Sequence, residues 1–494
     1  MTYETIIGLE VHAQLRTESK LFCGCSTAID TRPNTHTCPV CLGLPGALPA
    51  LNKKAVKYAV KMALAVHCQI QERSIFARKN YFYPDLPKGY QITQYDKPLA
   101  KDGWLEIALE KEGEKKRIGI QRIHLEEDAG KLIHSGPLTG KDKSLVDLNR
   151  CGIPLIEIVC DPDLQTPKEA QAFLKRIHHI VQWLGICDAN MEEGNLRCDA
   201  NISMKPAGSD TFGVKTEIKN LNSFRNLGQA LVYEQKRQVQ VLDAGKVIHQ
   251  ETLLWDDSRE EAISMRGKEE AHDYRYFPDP DLGPLEITKD EIESINKGMP
   301  ELPDERMCRW VKDYGLSEYD AFPLMQTREL ADYFEEVVSK TKDVRQTSNW
   351  IKGEIFHLLR ENRCNIQDLK VRPQHLARLI RMVCDGDLSS TSGKAVLHEI
   401  SRTGEEPDSI VKRLGIQQLS DPVEIEQAIQ TVMDQHDNVV QKYIQGKESV
   451  LGYLVGQVLR LTEGKANPQI VNTILIEKMT ALQNEEKSEK STGQ

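Results

Sequence analysis

The chain has 494 residues, 39% of them hydrophobic and 28% charged, and a formal net charge of −10. Domains usually hold ~100–200 residues, so this length calls for two to four, and the composition excludes wholesale disorder. No apolar run approaches the ~20 residues of a membrane span, and the acidic balance excludes the uniformly basic surface that nucleic acids favour while leaving room for a local basic patch. The first residues lack the basic and apolar regions of a leader, so a cytoplasmic location is expected.

In chain order, residues 3–15 alternate, with Ile7, Leu9, Val11 and Ala13 on one face and Glu10 and His12 on the other, which predicts a strand. Residues 53–66 predict a helix. Short strand patterns follow at 104–109, 116–125, 155–159, 199–204 and 213–218, with helices over 167–184 and 227–244. This mixture reads as a sheet-rich α+β domain over 1–290. Phe277-Pro-Asp-Pro-Asp-Leu-Gly-Pro284 reads as a connection. Beyond it, 330–338, 349–359 and 373–383 are amphipathic helices of a helical domain, 291–405, and 387–394 reads as a loop capping a helix from Gly393. A linker over 401–407 leads to a small all-α tail domain, 406–482, in which Asn467-Pro468 makes a helix start. The polar residues 483–494 are expected to be disordered.

The strongest chemical signal is Cys23-Gly-Cys25, then twelve residues, then Cys38-Pro-Val-Cys41. Two close pairs bring four thiolates to one tetrahedral point, which suits a structural Zn²⁺ with no open position; the alternative is four unliganded thiols. A second signal is a scatter of acids and histidines. Glu10 and His12 share one strand face, Arg122-Ile-His-Leu-Glu126-Glu127-Asp128 ends another strand, and Glu157 interrupts an apolar run where an unpaired carboxylate is costly. Oxygen ligands with a few histidines suit Mg²⁺ or Mn²⁺. Taken singly, each carboxylate reads as ion-paired or exposed, and a shared metal site stays an alternative. A third signal, 77–91, interleaves Arg78, Lys79 and Lys88 with tyrosines, as a phosphate and base contact does, or as a tyrosine-rich structural loop does. Residues 215–225 alternate in charge and suit either a polar cleft or a solvated face. Gly452 and Gly456 suit close helix packing or close approach of RNA. Neither a Walker-type loop nor a nucleophile elbow is present in the sequence.

In this order, residues 8–15 (GLEVHAQL), 78–91, 124–131 (HLEEDAGK), 146–159 (VDLNRCGIPLIEIV), 191–203 (MEEGNLRCDANIS) and 217–226 (EIKNLNSFRN) resemble the B subunits of tRNA-dependent amidotransferases. The likeness continues through Met265-Arg266, 273–279 (DYRYFPD), 301–306 (ELPDER), 347–350 (TSNW) and 452–472, so it covers nearly the whole chain. The resemblance implies a cradle-like catalytic domain, then a helical domain and a helical tail that binds tRNA. It implies a heterotrimer with a glutaminase, the A subunit, which supplies ammonia through a tunnel, and with a small C subunit. It implies ATP-dependent phosphorylation of the side-chain carboxylate of Glu-tRNA(Gln) or Asp-tRNA(Asn), followed by amidation. Under that reading Glu10, His12, Glu127 and Glu157 are the expected Mg²⁺ ligands, with Glu126 as a further one; strand parity sets Glu126 and Glu127 on opposite faces. Lys79 is the expected phosphate contact, and Lys394, Gly452, Arg460 and Lys465 are expected tRNA contacts. Two rivals remain: a non-catalytic zinc-bearing scaffold that binds tRNA, and a stand-alone ligase using free ammonia.

Overall fold

The structure is a computed structural model that describes residues 2–28, 32–109, 114–133, 143–265, 274–415, 422–462 and 466–492. Tertiary contacts divide the chain into two units, Met1–Glu305 and Arg306–Gln494.

The first unit is built on a nine-stranded sheet. In chain order the strands used below are β1 (Tyr3–Gln14), β2 (Gln69–Ile70), β3 (Ala77–Asn80), β4 (Tyr90–Thr93), β5 (Ala100–Ala108), β6 (Lys115–Glu127), β7 (Pro154–Cys160), β8 (Leu196–Pro206), β9 (Thr216–Leu221), β10 (Thr252–Asp256), β11 (Glu261–Ser264) and β12 (Phe277–Pro278). The large sheet runs β11-β10-β9-β8-β1-β7-β6-β5-β2, and β12-β3-β4 form a small sheet. Neighbours in the large sheet are antiparallel except β9 and β10.

Three helices share the sheet's apolar core: α1 (Lys53–Ala65), α2 (Pro167–Trp183) and α3 (Phe224–Asp243). Each begins on a side chain that satisfies a free N–H of the first turn. Asn52 accepts from the amides of Lys54 and Ala55, Thr166 from Glu169 with Pro167 at the first helical position, and Ser223 from Asn226. Their apolar stripes meet Ile7, Leu9, Val11 and Ala13 of β1, all fully buried. Period-two alternation then commits Glu10 and His12 to the other face. In β6 the register skips Gln121 between the pairs Val159–Arg122 and Cys160–Ile120. This bulge lets Ile118 and Ile120, and beyond it Ile123 and Leu125, all reach the core.

The expected elements recur with shifts that have physical causes. The pattern at 213–218 becomes β9, three residues later; Gly213 lies against the Met204 carbonyl, where a side chain has no room. Residues 277–284 are more than a connection: Phe277 and Pro278 pair with Arg78 and Ala77, and buried Asp279 accepts from Arg78 Nε at 2.9 Å. The helix Lys289–Lys297 packs Ile292 and Ile295 on the first core, and Trp183 Nε1 donates to the Glu301 carbonyl at 2.9 Å, which carries the unit to Glu305.

In the second unit, Arg328–Thr341 and Pro373–Cys384 are long helices, and 349–359 passes through a wider-wound stretch, Ile351–Ile355. The helix expected from Gly393 starts at Ser390, since Ser389 accepts from the Ser392 amide and so closes the turn earlier. It runs to Thr403, and Pro407 opens the next helix, leaving only 404–406 of the expected linker. Four tail helices, Pro422–Gln435, Asp437–Ile444, Leu451–Leu461 and Pro468–Thr492, share a core of Ile425, Ile429, Leu454, Val458, Leu475 and Met479. Asn467 caps the last of them, whose backbone includes most of 483–494. Among the described residues a Cβ on Gly452 or Gly456 would meet nothing within 4 Å, so neither serves close packing between the described helices.

Gly103 in β5 is a point of close approach. An added Cβ would lie 2.6 Å from the Val66 carbonyl and against Cys68 Sγ, and that carbonyl is held by the Trp104 amide at 2.8 Å. Gly103→Ala is expected to destabilise the first unit by about 1–3 kcal/mol, read as a lower urea midpoint by circular dichroism.

Candidate active site

Strand parity and register select the residues of the site. On the face opposite the helices, His12 lies between Arg197 and Glu157, and Glu157 between His12 and His124. Neighbouring strands lie ~4.8 Å apart, so this row sets Arg197, His12 and His124 in line with the single carboxylate of Glu157 across four strands. The next row pairs Glu10 with Asp199. These side chains line a cavity of about 700 Å³ together with Lys79, Arg122, Glu126, Glu217 and Lys219.

Glu157 is the centre of the cluster. Its Oε2 lies 3.3 Å from His12 Nε2 and 3.2 Å from His124 Nε2. Glu126 Oε1 lies 3.6 Å from His12 Nε2, and Thr93 Oγ1 donates to Glu126 Oε2 at 3.2 Å. Burial alone would push both imidazoles down; the Glu157 and Glu126 carboxylates reverse this and hold each at about 9. Burial would push Glu157 up, but His124 and His12 hold it well below the usual carboxylate range. Glu10 accepts from Asn201 Nδ2 at 3.1 Å, and its carboxyl is raised by burial and then by the Glu157 charge.

The cations are placed around this centre. Lys219 Nζ bridges Asp199 at 2.9 Å and Glu217 at 2.8 Å, so the charged run at 215–225 lines a cleft. Arg197 Nη2 is held by Asp128 at 2.9 Å, and Arg122 Nη2 lies 4.0 Å from Glu157 Oε1. Lys79 Nζ has no carboxylate partner among the described residues; it sits 4.8 Å from the centroid of the Tyr274 ring.

His12, Glu126 and Glu157 each offer a ligand atom within 4.8 Å of the others. One imidazole nitrogen and two carboxylate oxygens fit a divalent cation of the Mg²⁺ or Mn²⁺ kind. Glu127 does not belong to this group. It follows Ile123 and Leu125 in parity, so it faces away from the cavity. There it is buried, pairs with Lys88 Nζ and accepts from the Ile92 amide at 2.9 Å. Of the expected set of Glu10, His12, Glu127 and Glu157, the structure brings His12 and Glu157 together with Glu126, while Glu10 lines the same cavity outside that group and Glu127 faces away. His124 and Lys219 join the site without having been expected there. The period-two spacing Arg122, His124, Glu126 is a signal for the first, and the charge alternation of 215–225 is one for the second.

The four cysteines Cys23, Cys25, Cys38 and Cys41 offer sulfurs within 4.8 Å of one another, with 3.9 Å between Cys38 and Cys41. Zn–S bonds of ~2.3 Å in a tetrahedron set sulfurs ~3.8 Å apart, so the donor set fits Zn²⁺. Lys20, fully buried, donates to the His36 carbonyl at 2.7 Å and the Leu148 carbonyl at 3.2 Å, and its Nζ lies 3.8 Å from Cys41 Sγ. Of the expected tRNA contacts, Lys394 is held by Glu354 at 2.7 Å, Arg460 is exposed, and Lys465 lies outside the described residues, as do Arg266 and Asp273.

Residues 5–293 match the model of the GatB/GatE catalytic domain, and 332–479 match that of the GatB domain. The chain belongs to the GatB family. Among its relatives are proteins named as the B subunits of aspartyl/glutamyl-tRNA(Asn/Gln) amidotransferases. That of Thermodesulfovibrio yellowstonii is 51% identical over 96% of this chain and 99% of its own. That of Carboxydothermus hydrogenoformans is 51% identical over 97% and 99%, and that of Geotalea uraniireducens 52% identical over 97% and 100%. No described helix of this GatB-family chain is long and apolar enough to cross a membrane.

The raised histidines have a consequence for metal-free protein. A group held at about 9 instead of 6.5 contributes stability that is full below pH 6.5 and is lost as pH rises through 9. Chelator-treated protein is therefore expected to melt at lower temperature at pH 9.5 than at pH 6.5, and His124→Gln to flatten that dependence. An unchanged slope in the variant counts against the His124–Glu157 pair.

Proposed function

We propose that this chain is the ATP-dependent catalytic component of a tRNA-dependent amidotransferase, converting Glu-tRNA(Gln), Asp-tRNA(Asn) or both to the amides. The observation that carries the reading is the cavity in which Glu10, His12, Glu126 and Glu157 meet beside Lys79, a cation with no carboxylate partner among the described residues. A non-catalytic scaffold has no use for such a costly buried cluster.

A carboxylate resists ammonia because its leaving group would be oxide. In the proposed reaction a side-chain carboxylate oxygen attacks the γ-phosphorus of ATP, the bond to ADP breaks, and an acyl phosphate forms. Ammonia then attacks the acyl carbon, phosphate leaves with its bonding pair, and the nitrogen loses a proton to give the amide. Phosphoryl transfer is mainly positioning and charge neutralisation. His12, Glu126 and Glu157, with Glu10 beside them, would hold Mg²⁺, which when bound neutralises charge on phosphate oxygens. Lys79 and Arg122 contact the phosphates. A recessed site protects an acyl phosphate from water. In this reading a glutaminase partner supplies the ammonia by a tunnel, and a small third chain completes a heterotrimer in the cytoplasm. A zinc held by Cys23, Cys25, Cys38 and Cys41 would stiffen the loop that carries them, and the helical and tail regions hold the tRNA.

The test is amide formation on both mischarged tRNAs, with ATP and ammonium, by the chain purified with its co-expressed partners. Glu157→Gln and Glu126→Gln are each expected to lower turnover at least about 100-fold. Wild-type turnover in either variant removes that residue from the metal set; a wild-type complex that amidates neither tRNA sinks the reading. Zinc is tested separately: elemental analysis is expected to find one zinc per chain in wild type and none in Cys38→Ser/Cys41→Ser.

A further inference from the structure

Two aromatic residues lining the cavity have no part in the chemistry above. The rings of Tyr95 and Tyr276 lie face to face, centroids 4.1 Å apart and planes 5° from parallel. Tyr95 is 56% exposed and lines the cavity, so the stack ends on an exposed residue there. An exposed ring backed by a second ring is a platform that a flat heterocycle can extend by one layer.

The platform is held in place from both sides. Tyr95 follows β4, where the Gln94 side chain accepts from the amides of Leu99 at 3.2 Å and Leu125 at 3.1 Å, fixing the backbone to β6. Tyr276 meets the Tyr274 ring edge-on at 6.0 Å, and Lys79 Nζ lies 4.8 Å from the centroid of Tyr274. Burial raises the Tyr276 hydroxyl, as do Tyr274 and then the Glu126 and Glu157 charges, and Tyr276 lines the same cavity as those carboxylates. The stacked rings, the Lys79 ammonium and the carboxylate cluster thus line one cavity. A bound nucleotide presents the matching parts: a base, phosphates and a metal. An aminoacylated 3′-adenosine, with its base at one end and its side-chain carboxylate at the other, presents matching parts too.

We propose that the open face of Tyr95, backed by Tyr276, stacks an adenine ring, either that of ATP or that of the terminal adenosine of the aminoacylated RNA. This rests on the proposed reaction, which is what brings adenine into the cavity.

The experiment reads equilibrium binding without turnover, using the chain with its co-expressed partners. The probes are ATP and an RNA hairpin of the acceptor-stem kind ending in adenosine or, as control, in uridine. Tyr95→Leu is expected to weaken ATP or the adenosine-ended hairpin about 10-fold or more, while Tyr95→Phe and Tyr95→Trp stay within about twofold of wild type. Weaker ATP alone assigns the nucleotide; a weaker adenosine-ended hairpin, with the uridine-ended one unchanged by the variant, assigns the RNA terminus. Tyr95→Leu that melts like wild type and binds both probes like wild type overturns the proposal, as does wild-type protein that binds neither. Should Tyr95→Leu not fold, 2-aminopurine in place of adenine in each probe gives a reading on wild type. Quenching on binding supports stacking, and quenching in neither probe overturns it. A complex that shows these binding effects yet forms no amide sinks the reaction alone.

Discussion

Glu157 lies in the middle of a nine-stranded sheet, where a carboxylate stays charged only if cations flank it. Its Cα neighbours are His12 on β1 and His124 on β6, and the two imidazoles meet one of its oxygens at 3.3 and 3.2 Å. The register that makes this contact is the register of the whole sheet. A slip of one residue in β1 would send His12 into the core and Leu9 or Val11 onto the polar face. The apolar burial of three helices and the assembly of the charged cluster are thus one constraint seen from two sides.

The arrangement keeps the buried carboxylates paired without metal. Protonated His12 and His124 neutralise Glu157 and Glu126 when no cation is bound, and a divalent cation would take over that task in the same place. Such a cluster is rigid because strands rather than loops hold it. The elements that meet it from outside the large sheet, β3 and β4, are tied down by Arg78–Asp279 and by Gln94, so Lys79 and Thr93 arrive on fixed backbone.

The opposite face of the same strand end has a separate character. Glu127, one residue beyond Glu126, pairs with Lys88 and lines a second cavity of about 220 Å³ beside Cys41 and Lys20. Adjacent residues of one strand therefore serve two sites on the two sides of the sheet, which is why two consecutive glutamates cannot share one ion.

The alternation of 3–15 identified both the core face and the face bearing Glu10 and His12, because a two-residue period is local and survives in any sheet. The four cysteines likewise announced their cluster through spacing alone, and the long motifs pointed to the family. What no local pattern could state is which strands lie side by side. That β1 sits between β7 and β8, that Glu126 rather than Glu127 meets Glu157, and that Lys219 bridges Asp199 and Glu217 are decided by register between segments far apart in the chain. Pairings of that kind are chosen by the summed burial of the whole core, and a bulge at one residue, Gln121, is enough to change which side chains face inward.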